Sequence, residues 1–178
     1  MRKRTLLSML VLAPMVSAGG FRLRGVPSFP FTTLYVNAPA GSPFTREVLR
    51  NLATAGGNLK VILPSVEAVG TAPPKPIEAD ATLHLMGERR ERVVLAKTVS
   101  GQVREVELRL FARFRLVDKD GRVWIEDTEM RQTRTMSYSE SLALAKDEEE
   151  AALYRNMYSD LAQQLLRRLA ASQPPVDE

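Results

Sequence analysis

Few residues in this chain can be gathered for chemistry. His84 is the only histidine and there is no cysteine, so neither a His/Cys metal site nor a Cys–His nucleophile can be built. His84 lies between Leu83 and Leu85, and in an alternating strand its ring points away from both; a lone histidine there reads as an ordinary strand residue. Asp118-Lys119-Asp120-Gly121 looks like the opening of a calcium loop, but the later ligands and the closing Glu are missing. It reads instead as a hairpin turn in which Gly121 takes a positive φ. Asp147-Glu148-Glu149-Glu150 is the densest carboxylate run, yet consecutive helical residues point in different directions and cannot converge on one substrate atom. Gly56-Gly57 lacks phosphate-loop spacing, and no Gly-x-Ser-x-Gly surrounds a serine. The expectation is a protein that is not an enzyme and needs no cofactor or metal.

The cations raise a different question. Arg89, Arg90, Arg92 and Lys97 precede a long alternating strand, and Arg109, Arg113 and Arg115 lie along its polar face. Guanidinium groups pair well with phosphate oxygens. Nucleic acid is not expected as a partner, because only 6% of residues are aromatic and few accompany the arginines for base stacking. The net charge of +4 also loses three units when Arg2, Lys3 and Arg4 are set aside, leaving 22 Lys+Arg against 21 Asp+Glu. Two readings stay open: a solvated strand face with Glu105 and Glu107 as partners, or a face for an anionic ligand.

The elements that must position these residues follow from periodicity. Thr33–Asn37 reads as a strand. Ser42-Pro43 opens a helix, with Ser as cap and Pro at the first helical position; Phe44, Val48, Leu49, Leu52 and Ala55 form its apolar side, and Gly56-Gly57 ends it. Residues 59–63 make a second strand, giving a strand–helix–strand unit. Residues 64–79 carry four prolines and read as a surface connection. Residues 81–86 and 92–98 read as two strands joined by a turn at Gly87-Glu88. From Arg104 to Val117 the alternation has one dry face, Val106, Leu108, Leu110, Ala112, Phe114 and Leu116, opposite a charged one. Residues 122–136 return as its partner. A helix from about Lys146 to Ala171 presents Leu153, Tyr154, Met157, Tyr158, Leu161, Leu165 and Leu169. A sheet with one dry side and two amphipathic helices predicts an α+β two-layer sandwich: a mostly antiparallel sheet with both helices packed on one face.

The first residues carry an address. Arg2-Lys3-Arg4, an apolar run from Thr5 and the small residues Val16-Ser17-Ala18 make the pattern of a secretory signal peptide over 1–18. That run is too short to span a membrane, which takes ~20 apolar residues. Setting residues 1–18 aside leaves 160 of the 178 residues, expected to form one domain over 19–171 with a flexible tail over 172–178.

Ser17-Ala18-Gly19 followed by Gly20-Phe21-Arg22-Leu23-Arg24-Gly25, the order of elements, and Leu142-Ala143-Leu144-Ala145-Lys146-Asp147 before the last helix strongly resemble the LptE family of lipopolysaccharide-assembly lipoproteins, partners of the LptD β-barrel. The resemblance covers nearly the whole chain. It implies a helix–sheet sandwich seated as a plug in the LptD barrel, assisting barrel assembly and binding lipopolysaccharide on its way to the cell surface. It further implies a place at the periplasmic face of the outer membrane. The lipopolysaccharide-binding lysine of the family falls on Lys146. Its second basic position falls on Val99, with Lys97 the nearest cation. The family's lipidation position is Gly19, which has no thiol for a thioether-linked lipid. From the residues alone, a periplasmic binding or inhibitor domain for an unrelated protein is the alternative.

Overall fold

The computed structural model describes residues 28–55, 57, 59–64 and 78–174. Residues 1–18, read above as a signal peptide, Gly19, the stretch 20–25, residues 65–77 of the proline-rich connection and the end of the tail lie outside them. In chain order the elements are β1 (Thr33–Asn37), α1 (Pro43–Thr54), β2 (Lys60–Ile62), β3 (Ala81–Lys97), β4 (Val103–Asp118), β5 (Val123–Ser137), a 3-10 turn (Glu140–Leu142) and α2 (Ala143–Ala171). They form one sheet in the order β2-β1-β3-β4-β5. The long pairs β3–β4 and β4–β5 are antiparallel, whereas β1 is parallel to both of its neighbours. The mostly antiparallel α+β sandwich expected from the sequence is the architecture found.

The dry face of β4 carries the core. Val106, Leu108, Leu110, Phe114 and Leu116 are completely buried and Ala112 almost so. Phe44, Val48 and Leu52 of α1 and Met157, Leu161, Leu165 and Leu169 of α2 close over it in the same cluster. At ~1.5–3 kcal/mol per fully buried aliphatic or aromatic side chain, this layer is what holds a chain without disulfides together. Ser42 caps α1 as expected, its side chain accepting from the Thr45 amide at 2.9 Å behind Pro43. The helix stops at Thr54, before the glycine pair.

Two expectations need correction. Residues 81–97 are not two strands with a turn but a single strand. Leu85 lies opposite Phe114 and Gly87 opposite Arg113, so Met86 is an extra residue in a bulge. Gly87, with φ 112°, absorbs the kink without reversing the chain. Helix α2 begins at Ala143, earlier than Lys146, because Ala and Leu are strong helix formers and extend it past the acidic run; Leu142, at its cap, offers no side-chain acceptor.

The lower end of the sheet is pinned by Asp80. Its Oδ2 accepts from the Thr32 amide (2.9 Å), the Thr32 hydroxyl (2.7 Å) and the Thr33 amide (2.8 Å), while its own amide donates to the Thr33 hydroxyl (2.8 Å). These donors, the Thr32 hydroxyl foremost, hold the carboxyl at about 2. Phe29 stacks on Phe31, and Phe31 meets Trp124 edge-on, both at 5.6 Å, fastening the residues before β1 across to β5.

Candidate functional site

The bulge decides where the cations of β3 go. Before it, Ala81, Leu83 and Leu85 face the helices. After it the parity reverses, because Glu88, Arg90, Arg92 and Val94 lie opposite Ala112, Leu110, Leu108 and Val106 of the dry face. A charged network therefore closes the rim of the core. Glu88 accepts from the Ser42 hydroxyl (2.6 Å), the Phe44 amide (3.0 Å) and the Tyr158 hydroxyl (3.1 Å). Arg90 Nε donates to the Tyr158 hydroxyl at 2.9 Å, and its guanidinium lies over the rings of Tyr154 and Tyr158 at 4.6 and 5.0 Å. Tyr154 donates to the Glu91 carbonyl at 3.0 Å. Arg92 lies 4.7 Å over Tyr138 and 3.3 Å from Glu150. Burial, with the Glu150 charge next in effect, raises the Tyr154 hydroxyl pKa, and burial chiefly raises that of Tyr158, so both stay protonated as donors. This network ties the start of α1, the strand and α2 together. Sequence reading missed it, although an isolated glycine within a strand pattern is the signal for a bulge.

On the opposite, open face most arginines are neutralised by neighbours. Arg109 pairs with Glu107 at 2.5 Å, Arg113 with Asp127, and Arg89 with Glu91 at 2.9 Å while lying 4.3 Å over Phe111. The solvated-face reading holds for these, with Glu107 and not Glu105 as the acid that pairs. His84 is on this face, its Nδ1 3.2 Å from the Asn37 amide nitrogen; burial first, then the Arg115 charge, lowers its pKa. In the hairpin turn the Asp118 carboxylate is consumed locally, accepting from the Asp120 and Arg122 amides and from Arg122 Nε at 2.9, 2.8 and 2.7 Å.

The two lysines singled out by sequence stand at the other end of the sheet. Lys146, in the first turn of α2, is largely covered. Only 16% of its side chain is exposed, because its ammonium donates to Glu149 (2.8 Å) and to the Ser137 hydroxyl (3.2 Å). Ser137 lies opposite Glu105 at the start of β4. Lys97 is exposed and lies opposite Val103 at that same end. Between β3 and β4, Val99 rides fully exposed on a turn closed by Thr98 N to Gln102 O (2.7 Å) and Gly101 N to Thr98 O (2.9 Å). Leu142 and Leu144, at the start of α2, are also exposed. Gly19 lies outside the described residues.

A mixed sheet with two helices on one face, and on the other a charged surface most of whose arginines are engaged in structural pairs, defines an α+β sandwich domain. The comparisons place it more closely. The model of the LptE family, described as lipopolysaccharide-assembly, matches residues 26–169, and the chain belongs to that family. It is similar to the solution NMR structure of an uncharacterized lipoprotein B from Nitrosomonas europaea, at 33% identity over 85% of this chain and 91% of that one, TM-score 0.67. The crystal structure of the rare lipoprotein B from Shewanella oneidensis shares the fold at 23% identity over 78% and 94% of the two chains, TM-score 0.62. A minor lipoprotein from Acinetobacter baumannii does so at 20% identity over 83% and 100%, TM-score 0.59. Among curated proteins none matches. Membership of the family gives the chain a role in lipopolysaccharide assembly.

Proposed function

We propose that the chain is a non-enzymatic subunit of the outer-membrane lipopolysaccharide translocon. It seats as a plug in an LptD-type β-barrel, assists the assembly of that barrel, and binds lipopolysaccharide during delivery to the cell surface. The family match over residues 26–169 carries this reading. Association with the outer membrane, at its periplasmic face, then comes through the barrel, since Gly19 offers no thiol.

The lipopolysaccharide contact is assigned to Lys146, with Lys97 as the second cation at that end of the sheet. Glu149 holds the Lys146 ammonium, so an anionic ligand must compete with that carboxylate. This makes a two-sided test possible with lipopolysaccharide binding to the full chain. Lys146→Ala should weaken binding about tenfold, the cost of one charge-assisted contact, and Glu149→Gln should strengthen it by freeing the ammonium. If both variants bind like the parent, Lys146 is not the contact. For the barrel, co-expression with an LptD-type partner followed by pull-down should retain it equally with the parent and with Gly19→Cys. Retention by the Gly19→Cys variant alone would show that docking needs the lipid and not the folded surface.

A further inference from the structure

The pairing described above does not take up every cation of the open face; Arg115 and Arg131 are left over. Arg115 is exposed, and among the described residues it makes no hydrogen bond or ion pair. The register sets it directly opposite His84, and His84 opposite Asn37, so the three form a row across β4, β3 and β1 on one face. The Asn37 amide nitrogen, which can only donate, faces His84 Nδ1 at 3.2 Å. That leaves Nδ1 as the acceptor and puts the imidazole proton on Nε2. A permanently charged guanidinium and an imidazole N–H thus stand at one register position on neighbouring strands, with no acceptor among the described residues.

We propose that His84 and Arg115 form a site for a phosphate group on the open face of the sheet, with Asn37 setting the tautomer that makes His84 a donor. The guanidinium supplies the permanent charge and a two-oxygen fork; His84 Nε2–H supplies a further donor. A bound phosphate, being anionic, also favours the imidazolium, whose Nδ1–H requires the Asn37 amide to turn its oxygen toward the ring. Other groups sharing this surface are Tyr35 from β1, Arg113 from β4, and Glu126 and Asp127, which fall in the β5 irregularity across from Arg115 between Ile125 and Thr128. Asp127 is taken by Arg113, leaving Glu126 and Glu129, the latter opposite Arg113, as the acids against which phosphate competes. The site is some ten strand residues from the Lys146 end, or ~30 Å along β4, and stands independently of that assignment.

The chain's single histidine makes the test direct, because it gives one imidazole resonance in NMR. The full chain is titrated with inorganic phosphate, and separately with acetate, at constant ionic strength. Phosphate should shift the His84 signal saturably and raise its pKa; acetate should do neither. In Arg115→Gln the ligand-free pKa should rise, because a positive neighbour is gone, and phosphate binding should weaken about tenfold. Equal responses to phosphate and acetate, or an Arg115→Gln variant that binds phosphate like the parent, overturn the site. A second arm compares detergent micelles with and without lipid A. Saturation at lower phosphate concentration in the lipid arm identifies a lipid-borne phosphate as the occupant. A response to inorganic phosphate alone identifies a free one, and no response in either arm refutes the proposal.

Discussion

Replacing Gly87 by alanine isolates the backbone cost of the bulge. A Cβ built at Gly87 meets no atom within 4 Å, so steric crowding contributes nothing and the whole penalty is conformational. At φ 112° the residue lies beyond the left-handed helical region that asparagine tolerates, and holding an L side chain there costs ~1–2 kcal/mol, or ~3–6 °C in Tm for a domain of this size. Gly121, at φ 80° with the same empty surroundings, is the internal control. Gly121→Asn should cost no more than ~0.5 kcal/mol, whereas Gly87→Asn should cost as much as Gly87→Ala. Urea denaturation followed by Trp124 fluorescence, with an unchanged m-value, gives both numbers. If Gly87→Ala is within ~0.3 kcal/mol of the parent, or if asparagine rescues it, the parity reversal of β3 does not depend on glycine and the account of the bulge is wrong.

Removing the Asp80 clamp should show in the pH dependence of stability. A carboxyl held at about 2 instead of 3.8 would contribute ~2.4 kcal/mol at full strength, screened to ~1 kcal/mol because Asp80 is exposed. That contribution is complete above 3.8 and vanishes as pH falls through about 2, so the urea midpoints of the parent and Asp80→Asn should differ at neutral pH and converge in acid. Glu88→Ala leaves the Ser42 hydroxyl, the Phe44 amide and the Tyr158 hydroxyl without their acceptor. It should cost ~2 kcal/mol and accelerate amide exchange at the start of α1. Leu161→Ala, at a fully buried position of α2, should cost ~3 kcal/mol as measured by calorimetry.

How much of this was legible depended on whether neighbouring residues differed enough to reveal a period. From Val106 to Leu116 every second residue of β4 is apolar and, Phe111 apart, those between are charged, so its dry face could be read residue by residue, as could the Ser42-Pro43 start of α1 and the turn at Gly121. β3 beyond Leu85 could not. Glu88 to Arg92 are all charged, so alternation carries no signal across them, and the glycine that shifts the register imitates a turn. The start of α2 was misplaced for a similar reason: the acidic run at 147–150 looked like the helix beginning, when Ala143 to Ala145 extend it with side chains that bury little. The contact of His84 with Asn37 joins residues 47 positions apart, and that of Lys146 with Ser137 crosses from one element to the next; no periodicity within a single element encodes either.

The same bulge explains why one strand can serve both layers. β1 pairs with β3 only from Ala81 to His84, so from Leu85 to Lys97 the strand runs on with no β1 beside it. Had the alternation continued unbroken, Arg89 and Glu91 would face α2, and Arg90 and Glu88 would face solvent. The core would then lose the acceptor at the start of α1 and the cation between Tyr154 and Tyr158. Inserting Met86 exchanges the two sets. It also leaves Glu91 with its carbonyl covered by the Tyr154 hydroxyl and the overhanging rim lined with exposed Arg89, Arg90 and Arg92. Both features disfavour edge-to-edge pairing with a second chain.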